Sequence, residues 1–364
     1  MHRAVFTTSL IALSTGSSAL FAQSSLSLSG LLDAGLTYVS NSSGHGNVQF
    51  VDGVDVPNLI ILTGKEDLGQ GTSFIFQLED QYLLGTGSWP QGKSMFTWES
   101  MAGFDSHRLG TLTFGNLRDF MVDSVFLGHN DGSEMYDGTY GIAGGPFTKL
   151  NLPNNPTGSF NWDRMGFNAA IPNSVKYAMP AWNGFSGGAL YSFGGVPGSI
   201  GSNNGSSFGV NYAGGSFGTN AAITNVKYVI SGVEASIRNW GVGAHYYLGK
   251  LTMAALFTAI HNGANGGAVW EGQLSGFWQI DPAWGLGAAY VYMKGNSEVD
   301  NNHVHEVSSA LSYALSKRTA VYTTVVYQRT NRGANALING LNNPGSASSG
   351  PSQFLARIGV LTHF

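Results

Sequence analysis

Three short stretches carry residue types that do chemistry in other proteins. Residues 87–94, GSWPQGKS, match G-x-x-x-x-G-K-S letter for letter, the pattern in which backbone N–H groups and a lysine cradle phosphates at a helix N-terminus. The run that follows, Met95-Phe96-Thr97-Trp98, reads as the start of a strand, and Pro90 suits a plain loop, so the phosphate reading lacks its helix. Residues 184–188, GFSGG, fit G-x-S-x-G with Ser186 in the nucleophile's place. A nucleophile elbow must pass from strand to helix, and here a strand follows. His303 and His305 share one face of an alternating stretch with Glu306 opposite. Zinc needs a third and a fourth ligand at about 2 Å, and the neighbouring sequence supplies none. In a chain with 52 glycines among 364 residues such matches arise from composition. The expectation is no catalytic residue, no metal and no cofactor.

A longer stretch carries charge. Residues 120–171 hold Asp123, Asp131, Glu134, Asp137 and Asp163 against Lys149 and Arg164, a net −3. The stretch has no clean period, and connections beyond about 15 residues are usually functional or disordered. Phe120, Met121, Val122, Phe126, Tyr136, Tyr140, Phe147, Trp162 and Phe167 make it too apolar for disorder, so it must pack against something. Acidic and basic edges facing each other across a narrow passage create a transverse field that orients dipolar solutes and tunes ion selectivity. Basic groups placed to supply the opposite edge are Lys65, Lys176, Lys227 and Arg357, with Arg118 at the root of the stretch. Each single acid has the alternative of pairing with a loop-tip cation or facing water.

The elements that would position these groups follow from composition and period. Only 10% of residues are charged while 43% are apolar, and no window reaches the 18 or more apolar residues of a membrane helix. Glycine at this level also disfavours long helices, at about 1 kcal/mol per interior position. Alternation recurs instead. Leu26, Leu28, Leu32, Ala34, Leu36 and Tyr38 alternate with Ser27, Ser29, Asp33 and Thr37; Phe74, Phe76 and Leu78 alternate with Ile75, Gln77 and Glu79. Tight turns such as Leu68-Gly69-Gln70-Gly71 and Ser316-Lys317-Arg318 take turns with long loops rich in Gly, Asn, Ser and Pro, such as residues 42–57, 195–206 and 330–350. Short turns at one end and long loops at the other describe an all-β, 16-stranded antiparallel transmembrane barrel. Its strands are expected to start near residues 25, 58, 71, 94, 110, 173, 185, 206, 217, 236, 251, 268, 285, 303, 319 and 352. The chain ends on RIGVLTHF, an alternating run that closes the barrel and puts Phe364 at the interface belt.

Residues 1–22 read as a secretory signal: Arg3, an apolar core, and Ala19-Leu20-Phe21-Ala22 before the cut. The barrel domain is then residues 23–364. Without Arg3 the chain carries 16 basic and 21 acidic residues, a net −5, which excludes the basic field that nucleic acid requires. With no cysteine, an oxidising compartment is used without disulfides.

The run GKEDLGQG, residues 64–71, resembles the turn signature G-x-E-D-L-G-x-G of the general trimeric porins of Gram-negative β-proteobacteria, the neisserial and Burkholderia type. Residues 110–115, GTLTFG, are similar to that family's G-x-L-T-x-G strand before the constriction loop, and residues 173–177, NSVKY, to the strand after it. The resemblance covers residues 23–364. It implies a passive outer-membrane diffusion channel for ions and small hydrophilic solutes, a homotrimer in lipid and lipopolysaccharide, a third external loop (residues 120–171) forming the eyelet, and Phe364 as the assembly signal read by the barrel insertion machinery. The expected constriction residues are Asp123, Asp131, Glu134, Asp137, Arg118, Lys65, Lys176 and Arg357. Asn116 stands where the family often has arginine. With the acidic loop, that departure predicts a weak cation preference. The alternatives are an outer-membrane barrel enzyme of phospholipase or protease type, with Ser186 activated by a histidine, and a substrate-specific channel.

Overall fold

The computed structural model describes residues 24–90, 95–128, 144–153, 162–165, 170–230, 232–338 and 347–364. Seventeen strands form one sheet in which every pairing is antiparallel. They are β1 Ser25–Ser42, β2 His45–Asp52, β3 Leu59–Gly69, β4 Thr72–Gln81, β5 Glu99–Ser106 and β6 Gly110–Arg118. After the long connection come β7 Ala170–Trp182, β8 Phe185–Ser192, β9 Gly205–Gly214, β10 Phe217–Ile230, β11 Val233–Leu248 and β12 Leu251–Asn262. The wall ends with β13 Ala268–Gln279, β14 Trp284–Gly295, β15 His303–Ala314, β16 Thr319–Thr330 and β17 Ser352–His363. β2 pairs with the second half of β1 and β3 with its first half, so these two segments are one wall strand interrupted at residues 53–58. The wall therefore has 16 positions, and it closes where β1 pairs with β17 from Leu31↔His363 to Val39↔Leu355.

Side-chain phase divides the wall as the alternation predicts. Leu26, Leu28, Leu36 and Tyr38 are exposed on the outside, while Asp33 and Thr37 are buried on the lumen side. No helix among the described residues is long and apolar enough to cross a membrane. Strands cross it instead, because only a closed sheet pairs every backbone N–H and C=O in hydrocarbon. At the end where both chain termini lie, connections are tight: Asn183 and Gly184 join β7 to β8 with both residues at positive φ, the backbone twist a two-residue hairpin favours. Longer connections gather at the opposite end.

Three expectations on the elements need correction. Residues 42–57 are not one loop, because His45–Asp52 folds back along β1 as a strand. Residues 95–98 do not begin a strand: β5 starts at Glu99, and Phe96 sits at φ 57°, which an extended run does not allow. β7 starts at Ala170 rather than 173, since Leu117 and Arg118 continue past a bulge in β6 to pair with Ile171 and Ala170.

The closing seam is locked from inside. Arg357 on β17 donates from Nη2 to Asp33 Oδ1 of β1 at 3.0 Å, from Nε to the Tyr322 hydroxyl of β16 at 2.7 Å, and from Nη1 to Thr37 Oγ1 at 2.9 Å. Tyr322 in turn donates to Asp33 Oδ1 at 2.5 Å. Asp33 Oδ2 accepts from the backbone N–H groups of Val54 and Asp55 at 2.7 and 2.8 Å, fixing the break between β2 and β3 to the lumen wall. Both charged side chains are buried, at 1% and 0% exposure. Removing one partner of such a pair leaves the other charge buried and uncompensated, at about 3–5 kcal/mol. Arg357→Met is therefore expected to lower unfolding free energy by about that amount, and Arg357→Met combined with Asp33→Asn by clearly less. Urea unfolding in lipid vesicles, followed by tryptophan fluorescence, measures both; equal losses in the two variants would contradict the pairing.

Candidate functional site

The described parts of the long connection after β6 lie against the lumen side of the wall. Its first part is one helical turn, Met121–Phe126, whose Met121, Val122 and Val125 are fully buried. With Phe120, Met121 and Val125 pack on Leu190, Ala222, Val226 and Leu256, which point inward from β8, β10 and β12. The wall makes room with glycine: a Cβ at Gly209 would stand 2.6 Å from Phe120, and one at Gly188 likewise 2.6 Å from the Phe120 ring. The Phe120 N–H donates to Ser207 Oγ at 2.9 Å. Further along, Phe147, Leu150 and Trp162 pack on Ile237, Ile260, Val269, Val291 and Val304 of β11–β15.

Carbonyls of an irregular segment pressed on a wall need donors. Asparagine amides on or beside the wall strands supply them: Asn239 to Trp162 O at 2.9 Å, Asn262 to Leu150 O at 2.7 Å, Asn265 to Lys149 O at 2.9 Å and Asn302 to Pro146 O at 3.0 Å. The described parts of the connection are thus folded inward and pinned along half the barrel.

Charge gathers where this loop leaves the wall. Glu79 and Glu99 stand directly opposite each other on β4 and β5. Arg118 bridges them, at 3.0 Å to Glu79 Oε1 and by two bonds to Glu99. Gln77 donates to both carboxylates, at 2.7 and 3.0 Å. Next to this group, Lys176 Nζ donates to Asp123 Oδ2 at 2.5 Å and to the Arg118 carbonyl at 3.0 Å. A recess opens there, lined by Glu99, Thr111, Thr113, Arg118, Asp123 and Lys176. Asp119, fully buried, pairs with Arg164 and ties the two ends of the loop together. The low-dielectric loop pushes the Asp163 carboxyl up from its ordinary range; Thr258 donates to it at 2.9 Å.

Of the expected constriction residues, Arg118, Asp123 and Lys176 come together. Lys65 lies on the lumen phase beside Ile75 near the short-turn end, exposed. Arg357 belongs to the seam and is buried there. Asp131, Glu134 and Asp137 lie outside the described residues. Lys227 points outward, because Thr224 and Val226 hold the inner phase of β10; it pairs with Glu234 at 3.3 Å. Asn116 is also on the outer phase, opposite Ser100, with its amide donating to the Thr97 carbonyl at 3.0 Å, so its side chain does not face the lumen. Glu79, Glu99 and Asp119 were absent from the sequence-derived set. Their signal was an acid on the polar phase of an apolar strand, visible for Glu79.

The other motifs stay apart from this site. Of residues 87–94 only 87–90 are described, and β5 rather than a helix follows. Ser186 accepts from the Asn211 amide at 3.2 Å. His303 and His305 point outward from β15, where the Tyr290 hydroxyl lies 2.8 Å from His305 Nδ1.

A closed barrel of 16 wall positions with a charged loop folded into its bore defines a transmembrane channel of the outer membrane. The family model of the Gram-negative porins matches residues 7–333, and the chain belongs to that family. It is 25% identical over 375 residues to outer membrane porin protein 32 of Delftia acidovorans, covering 97% of this chain and 98% of that one. An outer membrane porin protein of Bordetella pertussis is 27% identical over 190 residues, 47% of this chain and 43% of the relative. Among solved structures, an anion-selective porin from Comamonas acidovorans superposes with a TM-score of 0.77 at 18% identity, over 94% of this chain and 100% of that one.

Asp123 makes the recess sensitive to pH. Burial raises its carboxyl above the usual range, and the nearby Lys176 ammonium only partly offsets this. A raised value disfavours the charged form, so on acidification Asp123 takes up its proton before an ordinary carboxylate does and leaves the Lys176 charge uncompensated. The reversal potential in a salt gradient should shift toward anions while the pH is still above about 4. In Asp123→Asn the part of that shift that Asp123 contributes should already be present at neutral pH.

Proposed function

We propose that the chain is a general diffusion porin: a homotrimer that passes ions and small hydrophilic solutes across the outer membrane down their gradients, with a weak preference for cations. The observation that carries this reading is the loop packed along the lumen wall, which narrows the bore and presents charge in it. The cation preference is supported by Glu79, behind the recess, adding a third acid to Glu99 and Asp123 against Arg118 and Lys176. The Comamonas porin is anion-selective, but 18% identity carries the fold, not the charges. A barrel hydrolase at Ser186 would need a general base, and the neighbour that Ser186 has is Asn211. Residues 1–22 act as the secretory signal. Trimeric assembly rests on the family resemblance; it predicts a heat-sensitive oligomer on gels that gives monomer on boiling.

Planar-bilayer recording tests the reading. Ohmic steps without release of fatty acid support a porin, and the reverse supports an enzyme. In a salt gradient the wild type should favour cations weakly, fading as salt rises because screening reaches about 8 Å at physiological strength. Changing Asp123, Asp131, Glu134 and Asp137 together to Asn or Gln should move the reversal potential toward anions at similar conductance. An anion-preferring wild type, or an unmoved potential, would give the throat to the wall cations.

Phe364 supports a separate role in assembly. Its N–H and C=O each bond to Gly30 at 3.1 Å, and its ring lies over that glycine on the outer side of the seam. Loss of the ring costs about 1–3 kcal/mol of transfer energy, too little to unfold a barrel. Deleting Phe364 should therefore reduce insertion in cells much more than refolding in detergent. Equal losses would remove the recognition role.

A further inference from the structure

Besides the loop after β6, a second segment folds inward on another side of the bore. Residues 331–338 leave β16 at its long-loop end and turn back over the lumen side of the closing seam. Thr330 Oγ1 donates to the Ala334 carbonyl at 2.8 Å. Deeper in, the Gln328 side chain meets Leu337 in both directions: its Oε1 accepts from the Leu337 N–H at 2.7 Å, and its Nε2 donates to the Leu337 carbonyl at 3.1 Å. The same Nε2 donates to Glu306 Oε2 at 2.7 Å, which fixes the amide's orientation. Gln353 Oε1 accepts from the Ile338 N–H at 2.7 Å, while its Nε2 donates to the Asn41 carbonyl at 2.7 Å. The two glutamines stand opposite each other on β16 and β17, buried at 0% and 1% exposure.

Packing places this segment inside the bore and below its rim. Ile338 is fully buried in a cluster with Val39, Val326 and Leu355 of the wall and with Val51 and Val54. Val326 stands opposite Leu355 and lies below the end of β16 at Thr330 by about 13 Å, at roughly 3.3 Å per residue along a strand. Val54 belongs to the interruption between β2 and β3, so residues 331–338 pack with that inward turn above the seam triad. A connection standing in water takes its backbone partners from water; a segment pressed on a wall needs them from the wall. Gln328 and Gln353 supply them here, as asparagines do for the loop after β6. That loop packs on β8–β15 and residues 331–338 on β16, β17 and β1. The recess on β4–β7 lies in the arc between the two.

We propose that residues 331–338 are a second bore-narrowing element, separate from the loop after β6. Gln328 and Gln353 are its positioning residues: they set how far it projects into the bore and so the size of solute that passes beside the recess. This deepens the porin reading and rests on it for the conductance test, but not for the hydrogen-exchange test.

The test uses the full mature chain with Q328A, Q353A and both together. Hydrogen exchange in detergent, read by mass spectrometry, should find the Leu337 and Ile338 amides protected in the wild type although they lie outside any strand. Each single variant should speed exchange of the amide it frees by about tenfold, the worth of one hydrogen bond. N262A, which loosens the loop after β6, should leave exchange at 337 and 338 unchanged. In planar bilayers Q328A/Q353A should give larger and noisier steps than the wild type, and in liposome swelling it should admit longer neutral oligosaccharides. Its effect on step size should add to that of N262A, as for independent sites. If the double variant folds poorly, N335C offers a second route: the chain has no cysteine, and Asn335 is exposed on the inward segment. A bulky thiol reagent on N335C should then reduce the step size. Unprotected wild-type amides at 337 and 338, wild-type steps in Q328A/Q353A, or steps unmoved by labelling of N335C overturns the proposal. Protected amides in a chain that gives no ohmic steps would instead sink the porin reading and leave the positioning by Gln328 and Gln353 standing.

Discussion

Hydrocarbon offers no partner to a backbone N–H or C=O, and everything else in this molecule depends on that. A sheet in such a medium cannot keep an edge, so β1 and β17, more than three hundred residues apart, must meet. The seam is where the cost of closure is concentrated, and its construction shows it. Outside, the last residue bonds back to Gly30 and covers it with a ring. Inside, Arg357, Asp33 and Tyr322 form a buried triad across the joint. The interruption between β2 and β3 turns into the lumen beside it, with its N–H groups on Asp33.

Closure at this strand number leaves a bore wider than side chains can fill. The chain fills it with its own irregular segment, and that segment brings unpaired carbonyls with it. Their donors are asparagines placed on or beside the wall, and the space for the first turn of the loop comes from glycines facing the lumen. Cations near the loop are each matched to carboxylates: Arg118 to two, Lys176 and Arg164 to one each. Such pairing holds the loop in place and sets the field in the throat with the same groups.

What the amino-acid sequence determined by itself is the wall. Alternation needs only neighbouring residues, and it located the phases of β1 and β4, the starts of β12, β13 and β16 and the closing run with no knowledge of contacts. It failed where a single residue decides the phase: Lys227 fell on the wrong face, because a period of two turns every side chain over on a shift of one. It failed too where strand and turn share a composition, as at His45–Asp52. The tertiary structure decided which charges meet. Glu79, Glu99 and Arg118 are separated by up to 39 positions, and Arg357 lies 324 positions from Asp33. A charge in a sequence has a sign but no partner, and in this barrel partners come from registers between strands and from where the loop comes to rest.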